Sequence, residues 1–243
     1  MSQSDTPAPR SGALVIHGFT GAPSSVRSLT DAYAAAGFDV ETPLLPGHGT
    51  EVRDMVPTRW SDWSGAVERA YQALAARCDR IVVAGLSMGG TLTLWTALNH
   101  PEVVAAVCVN PAAQPQAPDL IALLDGMLAQ GLEVMPAIGS DIAAPDVVEE
   151  AYPETPVAPL RSLLTDGVAP LAERYGSASV PLLLFTSRQD HVVDPTQSDF
   201  LAQAWGAPVQ RVWLERSFHV ATQDYDAALI AAQAVDFARR HLG

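Results

Sequence analysis

The sequence predicts an α/β domain: a mostly parallel central sheet with helices on both faces and a small inserted helical cap. Three observations carry this. An apolar fraction of 48% against a charged fraction of 17% gives a chain that can bury a core, which excludes disorder. Short apolar runs alternate with longer stretches of helical spacing, the pattern of strands buried between helical layers. The interval from Pro111 to Pro181 far exceeds the dozen or so residues that a crossover between parallel strands needs, so something is inserted there.

The expected strands are residues 13–16, 38–43, 81–84, 103–109, 182–186 and 209–214. Between the first two, residues 24–37 read as a helix with Ser24 at its N-cap and Gly37 at its stop. Residues 60–77, preceded by Pro57 and Thr58, and 88–100, ended by Pro101, are two more helices. A packed amphipathic helix over 224–241 closes the chain. Within the insertion, residues 119–132 put Leu120, Leu123, Leu124, Met127 and Leu128 on one broad stripe. A second amphipathic stretch covers 158–175, and Pro136, Pro145, Pro153, Pro156 and Pro159 mark joints. The 243 residues thus divide into a core of 11–112 and 176–243, a cap of 113–175 and a disordered tail of 1–10.

The net charge of −13 repels phosphate backbones and anionic lipid surfaces, which excludes nucleic acid as a partner. All 14 basic residues are Arg. Without a lysine amine, Walker-type phosphate loops, pyridoxal Schiff bases, aldolase-type amine catalysis and Ser-Lys dyads are excluded. Cys78 and Cys108 are too few for a structural zinc or iron–sulfur site and read as reduced and buried. Residues 1–10 carry no apolar stretch of a secretory leader, and no apolar run reaches the ~18 residues of a membrane span. A cytoplasmic protein without stable membrane insertion is expected; a homodimer is left open.

The sharpest local feature is Gly85-Leu86-Ser87-Met88-Gly89, set between an expected strand and an expected helix. A serine on so tight a turn needs neighbours without Cβ atoms and is held out at the sheet's carboxyl edge, where ligand sites of α/β folds form. Its hydroxyl needs a base, and the base an orienting acid. His219, between the last expected strand and the final helix, is the candidate base, with His191 as rival. Asp190, just past the strand at 182–186, is the candidate acid; its rival Asp194 also fits as a cap for a helix starting near Pro195. The oxyanion of a tetrahedral intermediate needs donors. The N–H of Met88 follows the nucleophile, and that of Phe19, in His17-Gly18-Phe19-Thr20-Gly21, comes from the loop after the first strand. His17 would orient that loop by hydrogen bonds. No tight metal-ligand pair accompanies His17, His48 and His191, so neither metal nor cofactor is expected.

These segments, with Gly47-His48-Gly49-Thr50, Gln189-Asp190-His191-Val192-Val193 and Ser217-Phe218-His219-Val220-Ala221-Thr222, resemble those of the small bacterial carboxylesterases and monoacylglycerol lipases of the α/β-hydrolase fold. The resemblance runs from Ala13 to the final helix. It implies a triad of Ser87, Asp190 and His219, an oxyanion hole of Phe19 and Met88, and a cap that shapes an acyl tunnel. It further implies that Tyr152-Pro153-Glu154-Thr155-Pro156 helps bind a glycerol end, with Glu154 the nearest acidic match. Phe218 departs from the pattern, standing where many such hydrolases have Gly. The substrate expected is a carboxylic ester of a medium to long acyl chain, monoacylglycerol first, its acyl group meeting the stripe of Leu124, Met127 and Leu128. The alternatives are another serine-triad activity, such as a short-chain carboxylesterase, a C–C hydrolase or an acyltransferase, and a non-catalytic ligand receptor.

Overall fold

Apolar runs that bury both faces have to find strand neighbours, and four of them form the centre of one six-stranded sheet whose edge strands are only partly buried. The structure, a computed structural model, describes residues 9–242. In chain order the elements are β1 (Ser11–Ile16), α1 (Arg27–Ala35), β2 (Asp39–Glu41), α2 (Val52–Met55), α3 (Trp60–Ala75), β3 (Arg80–Leu86), α4 (Met88–Asn99) and β4 (Ala105–Val109). There follow α5 (Pro118–Ala129), β5 (Val134–Pro136), β6 (Glu154–Pro156), α6 (Val157–Ser162) and α7 (Ala169–Ala172). The sequence returns to the sheet with β7 (Leu182–Ser187), α8 (Thr196–Ala204), β8 (Val209–Leu214) and α9 (Ala227–His241). The sheet order is β2-β1-β3-β4-β7-β8, with every pairing parallel.

Alternate strand residues enter opposite layers, as the pleat requires. Leu14, Ile16, Val83, Leu182 and Leu184 pack with Trp63, Leu92 and Leu201 of α3, α4 and α8. Ala13, Val15, Val82, Leu183 and Phe185 pack with Leu29 and Tyr33 of α1 and Ile230 and Ala234 of α9. The register pairs Ile16 with Gly85, Leu86 with Val109, and Val109 with Phe185, so the carboxyl ends of β1, β3, β4 and β7 share one edge. The loops after β1, β3, β7 and β8 leave from it.

Three expectations are corrected. Ser24 does not cap a helix: Pro23 starts a 3-10 turn over Pro23–Val26, and the Ser24 hydroxyl donates to Glu150 (2.9 Å) instead. The last helix starts at Ala227, because Asp224 and Asp226 are spent on the preceding loop, where Asp226 Oδ2 accepts from Ser217 Oγ (2.9 Å) and Arg216 N–H (3.1 Å). The insertion is not all helical, since β5 and β6 pair antiparallel, Val134 with Pro156 and Pro136 with Glu154. Its second helical stretch loosens into a π-helical turn at Leu163–Val168. There Gly167 rides on Trp60, where a Cβ would fall 2.6 Å from the ring.

The tail expected at 1–10 lies, for residues 1–8, outside the described residues; the Arg10 N–H bonds Asp79 (2.9 Å). Among the described residues no helix is long and apolar enough to cross a membrane.

Candidate active site

Ser87 sits between β3 and α4 at φ 55°, a left-handed backbone that a non-glycine residue holds only where its surroundings enforce it. Two glycines show what enforces it. A Cβ on Gly85 would lie 2.1 Å from the Gly89 carbonyl oxygen, and one on Gly89 would lie 2.1 Å from that of Ile16. Strand, turn and helix are therefore in backbone contact, and the side chain between them is held out past the sheet edge.

His219 and Asp190 meet at that edge from the loops after β8 and β7. His219 Nδ1–H donates to Asp190 Oδ2 at 2.8 Å, with the imidazole 7% and the carboxyl 2% exposed. Such burial makes this a charge-assisted bond shielded from water. The other carboxylate oxygen accepts the N–H groups of Val192 (2.8 Å) and Val193 (2.7 Å), which fixes its plane. A carboxylate can only accept, so the proton is on Nδ1 and the His219 Nε2 lone pair is left as a base. Ser87 and His219 line the same cavity. The rivals go elsewhere: Asp194 accepts from Thr196 N–H (2.8 Å) ahead of α8, and the His191 ring, 54% exposed, donates to Asp141 (2.8 Å).

The loop after β1 passes close to Ser87, so that a Cβ on Gly18 would touch Ser87 Cβ at 3.5 Å. Among the described residues the N–H groups of Phe19 and Met88 bond no partner. His17, fully buried, donates from Nδ1 to the Gly18 carbonyl (2.9 Å) and accepts the Leu45 N–H on Nε2 (3.1 Å), a neutral ring pinned at both nitrogens. Burial, aided by the nearby His48, lowers its pKa to about 3. Burial lowers His48 to about 4.

The cavity holds about 310 Å³ and is walled mostly by apolar side chains, among them Leu120, Met135, Leu160, Leu163 and Leu164. This alters part of the sequence expectation. Leu124, Met127 and Leu128 turn inward to pack with Val157 and Leu164, and Leu120 from the same helix reaches the cavity in their place. Glu154 is exposed on β6, where strand alternation sends Thr155 to the cavity and Glu154 away from it. The acidic cavity residues are Glu149 and Asp141. Burial raises the Glu149 carboxyl above its ordinary pKa, opposed by the positive charge His219 can carry.

Sequence reasoning missed Asp141 and Asn110 here, and the bonding of Tyr152. Asp141 bonds the loops of both His191 and His219. Asn110, at φ 46° beyond β4, donates to Ser187 Oγ (2.9 Å) and the His219 carbonyl (2.8 Å) and accepts the Ser187 N–H (2.8 Å), stitching β4, β7 and the histidine loop. Tyr152 donates to the Gly47 carbonyl (2.8 Å) and accepts the Thr50 N–H (3.1 Å), which brings Gly47-His48-Gly49-Thr50 against the insertion. A φ above zero at Asn110 follows from Asn being tolerant of that region, the one signal a sequence could have offered. Among the described residues no group of three or more His, Cys, Asp or Glu side chains is arranged to hold a metal ion.

Comparison with known proteins shows the family of the chain. A family model described as serine aminopeptidase, S33, matches residues 7–226. A thermostable monoacylglycerol lipase of Bacillus sp. (strain H-257) is 42% identical over 96% of this chain and 92% of its own length. A carboxylesterase of Bacillus subtilis (strain 168) is 24% identical over 92% and 90%. A solved structure from the metagenome-derived lipolytic enzymes LipS and LipT superposes with a TM-score of 0.90 at 40% identity, covering 96% of this chain and 95% of that one.

Proposed function

The chain belongs to the serine hydrolases of the α/β-hydrolase fold that the serine aminopeptidase S33 family gathers, and on that premise we propose that it hydrolyses monoacylglycerols of medium to long acyl chain. The single observation that carries the mechanism is the buried Asp190–His219 pair facing the same apolar cavity as the strained Ser87. Residues 113–175 are taken as the cap and the flanking segments as the core. The substrate class is supported by the 42% identity to a monoacylglycerol lipase and by the leucine wall of the cavity.

His219 Nε2 takes the Ser87 proton as Oγ bonds the ester carbonyl carbon, while Asp190 stabilises the imidazolium. The carbonyl electron pair moves onto oxygen, and the Phe19 and Met88 N–H groups hold the oxyanion, each donor contributing roughly 3–4 kcal/mol in comparable sites. The carbon–alkoxide bond breaks, the alcohol leaves with the proton from His219, and an acyl-Ser87 ester remains. Water, deprotonated by the same nitrogen, releases the fatty acid and restores Ser87. Glu149 faces the alcohol end. Two free buried cysteines fit a cytoplasmic, reducing setting. Light scattering on the purified chain decides between a monomer and a homodimer.

Ser87→Ala should abolish labelling by a fluorophosphonate and lower kcat by about 10⁶-fold, leaving the residual catalysis of binding and oxyanion donors. Labelling that survives the substitution overturns the nucleophile. A steady loss of kcat/KM from butyryl to lauroyl glycerol overturns the lipid reading, as would faster turnover of an aminoacyl anilide.

A further inference from the structure

We infer that Asp141, contributed by the cap, is a positioning residue for this reaction: one carboxylate that sets the spacing between the loop of the acid and the loop of the base. The inference rests on the triad proposed above. Asp141 is 8% exposed and lies between β5 and β6. Its Oδ2 accepts two backbone N–H groups at 3.1 Å each, those of His191 and His219. Its Oδ1 accepts Nδ1–H of the His191 ring at 2.8 Å, and its main-chain carbonyl accepts the Val220 N–H at 3.0 Å. All four bonds cross to the core.

The choice of partners gives the carboxylate its role. The His191 N–H is one peptide from Asp190, and the His219 N–H is on the very residue whose ring acts as base. A single oxygen therefore spans the two residues whose side chains must stay in contact for the imidazolium to be stabilised. The core returns the grip. Asp224 accepts the N–H groups of Ala143 (2.7 Å), Ala144 (3.1 Å) and Phe218 (2.9 Å), so residues 141–144 are clasped from both sides. Phe218, the departure from the family pattern, completes the clasp: its ring meets the His191 ring edge-on at 4.7 Å. An aromatic side chain next to the base thus braces the same junction that Asp141 bonds. A residue acting only to fold the cap would be expected to bond within the cap; Asp141 instead spends its acceptors on the catalytic loops.

Steady-state kinetics on monolauroylglycerol and a proton spectrum of the His219–Asp190 hydrogen bond test this. Asp141→Ala should lower kcat by about 10²-fold, the scale of a displacement near 1 Å, with KM changed by less than about threefold. The downfield resonance of the shared proton should broaden or vanish. Asp141→Asn keeps an oxygen acceptor without the charge and should bring kcat back only part of the way, to about three- to fivefold below that of the unsubstituted chain. If the Ala variant does not fold, the Asn variant decides alone: a severalfold lower kcat at unchanged KM supports the assignment. Unsubstituted kcat in either variant overturns it, as does a loss confined to KM, which would make Asp141 a wall of the binding site. If turnover by the unsubstituted chain is itself independent of Ser87, the triad has failed instead, and the Ser87→Ala control separates the two.

Discussion

The sheet core and the inserted cap are held by different means. In β3, β4 and β7 the side chains are almost all at zero exposure, and they alternate between two large apolar layers. Within the insertion, α5 and α6 rest on a small cluster of Leu124, Val157 and Leu164, while Leu123, Leu132, Ile138 and Val148 remain 60%, 45%, 68% and 79% exposed. The stretch between α5 and α6 is tied to the core through polar bonds, from Asp141 and Asp224 at one edge and Tyr152 at the other, whereas Leu163, Val168, Leu171 and Tyr175 that follow join the core's own apolar layer. Packing thus holds Ser87, whereas the stretch around Asp141 and Tyr152 hangs on hydrogen bonds that cross between segments distant in sequence.

The same substitution in each region separates the two most sharply. Gly89→Ala puts a Cβ 2.1 Å from the Ile16 carbonyl oxygen and 2.6 Å from that of His17, backbone that no rotamer change relieves. It should cost at least about 3 kcal/mol, and the protein should express insoluble or melt far lower. Gly126→Ala, inside α5 with nothing within 4 Å of the added methyl, should gain about 0.5–1 kcal/mol through helix propensity. Thermal melts of the pair check it, and equal shifts would erase the contrast.

Next in size is acid. His17 and His48 stay neutral in the folded core, at about 3 and about 4, while the unfolded chain takes up protons near 6.5. Between these values the unfolded state binds more protons, so stability is complete above pH 6.5 and is lost as pH falls toward 4 and then 3. By pH 4.5 the loss should be about 2–3 kcal/mol for each ring. Protonating His17 also removes the acceptor of the Leu45 N–H. Urea midpoints across this range should fall accordingly and His48→Asn should flatten the slope; a level profile would contradict the burial argument.

A smaller difference separates two buried leucines. Leu184, at 0% exposure in β7, is enclosed by rigid layers, and Leu124, at 1%, by a small cluster that can collapse. Leu184→Ala should cost about 3–5 kcal/mol and Leu124→Ala about 2 kcal/mol. Equal losses would mean that the cap is packed as firmly as the core.

The same division governed what could be read in advance. Runs such as Ile81 to Ala84 announce themselves because each residue is apolar, and the Gly-x-Ser-x-Gly turn because its chemistry is local. The three-residue strands β5 and β6 are shorter than any readable period. The stripe of Leu124, Met127 and Leu128 marks the face of α5 that is covered but not what covers it, which is Val157 and Leu164 of the same insertion. Asp141 and Glu149 lie in a stretch with Asp146 and Glu150 that reads as solvated; nothing local shows that Asp141 bonds residues 50 and 78 positions away. Glu154 is the acidic residue that the resemblance points to, whereas the strand alternation that turns it outward exists only once β6 has formed.

The smallest effect expected comes from the acidic side chain that does reach the cavity. Burial holds the Glu149 carboxyl above its ordinary pKa, so it takes up a proton at a higher pH than a surface glutamate. With the alcohol end of the proposed substrate beside it, the ionised carboxylate would accept hydrogen bonds from glycerol hydroxyls; protonated, it would lose one acceptor, and Gln mimics that state. Glu149→Gln should therefore raise KM for monolauroylglycerol by about three- to tenfold, the difference between a charged and a neutral hydrogen bond. It should leave p-nitrophenyl laurate unchanged, because that alcohol group has no hydroxyl to bind. In weak acid the unsubstituted chain should lose glyceryl-ester affinity before it loses p-nitrophenyl-ester affinity, and the Gln variant should show no such gap. Parallel losses on both esters would place Glu149 on the acyl path or against His219, and would move alcohol recognition to another part of the cap.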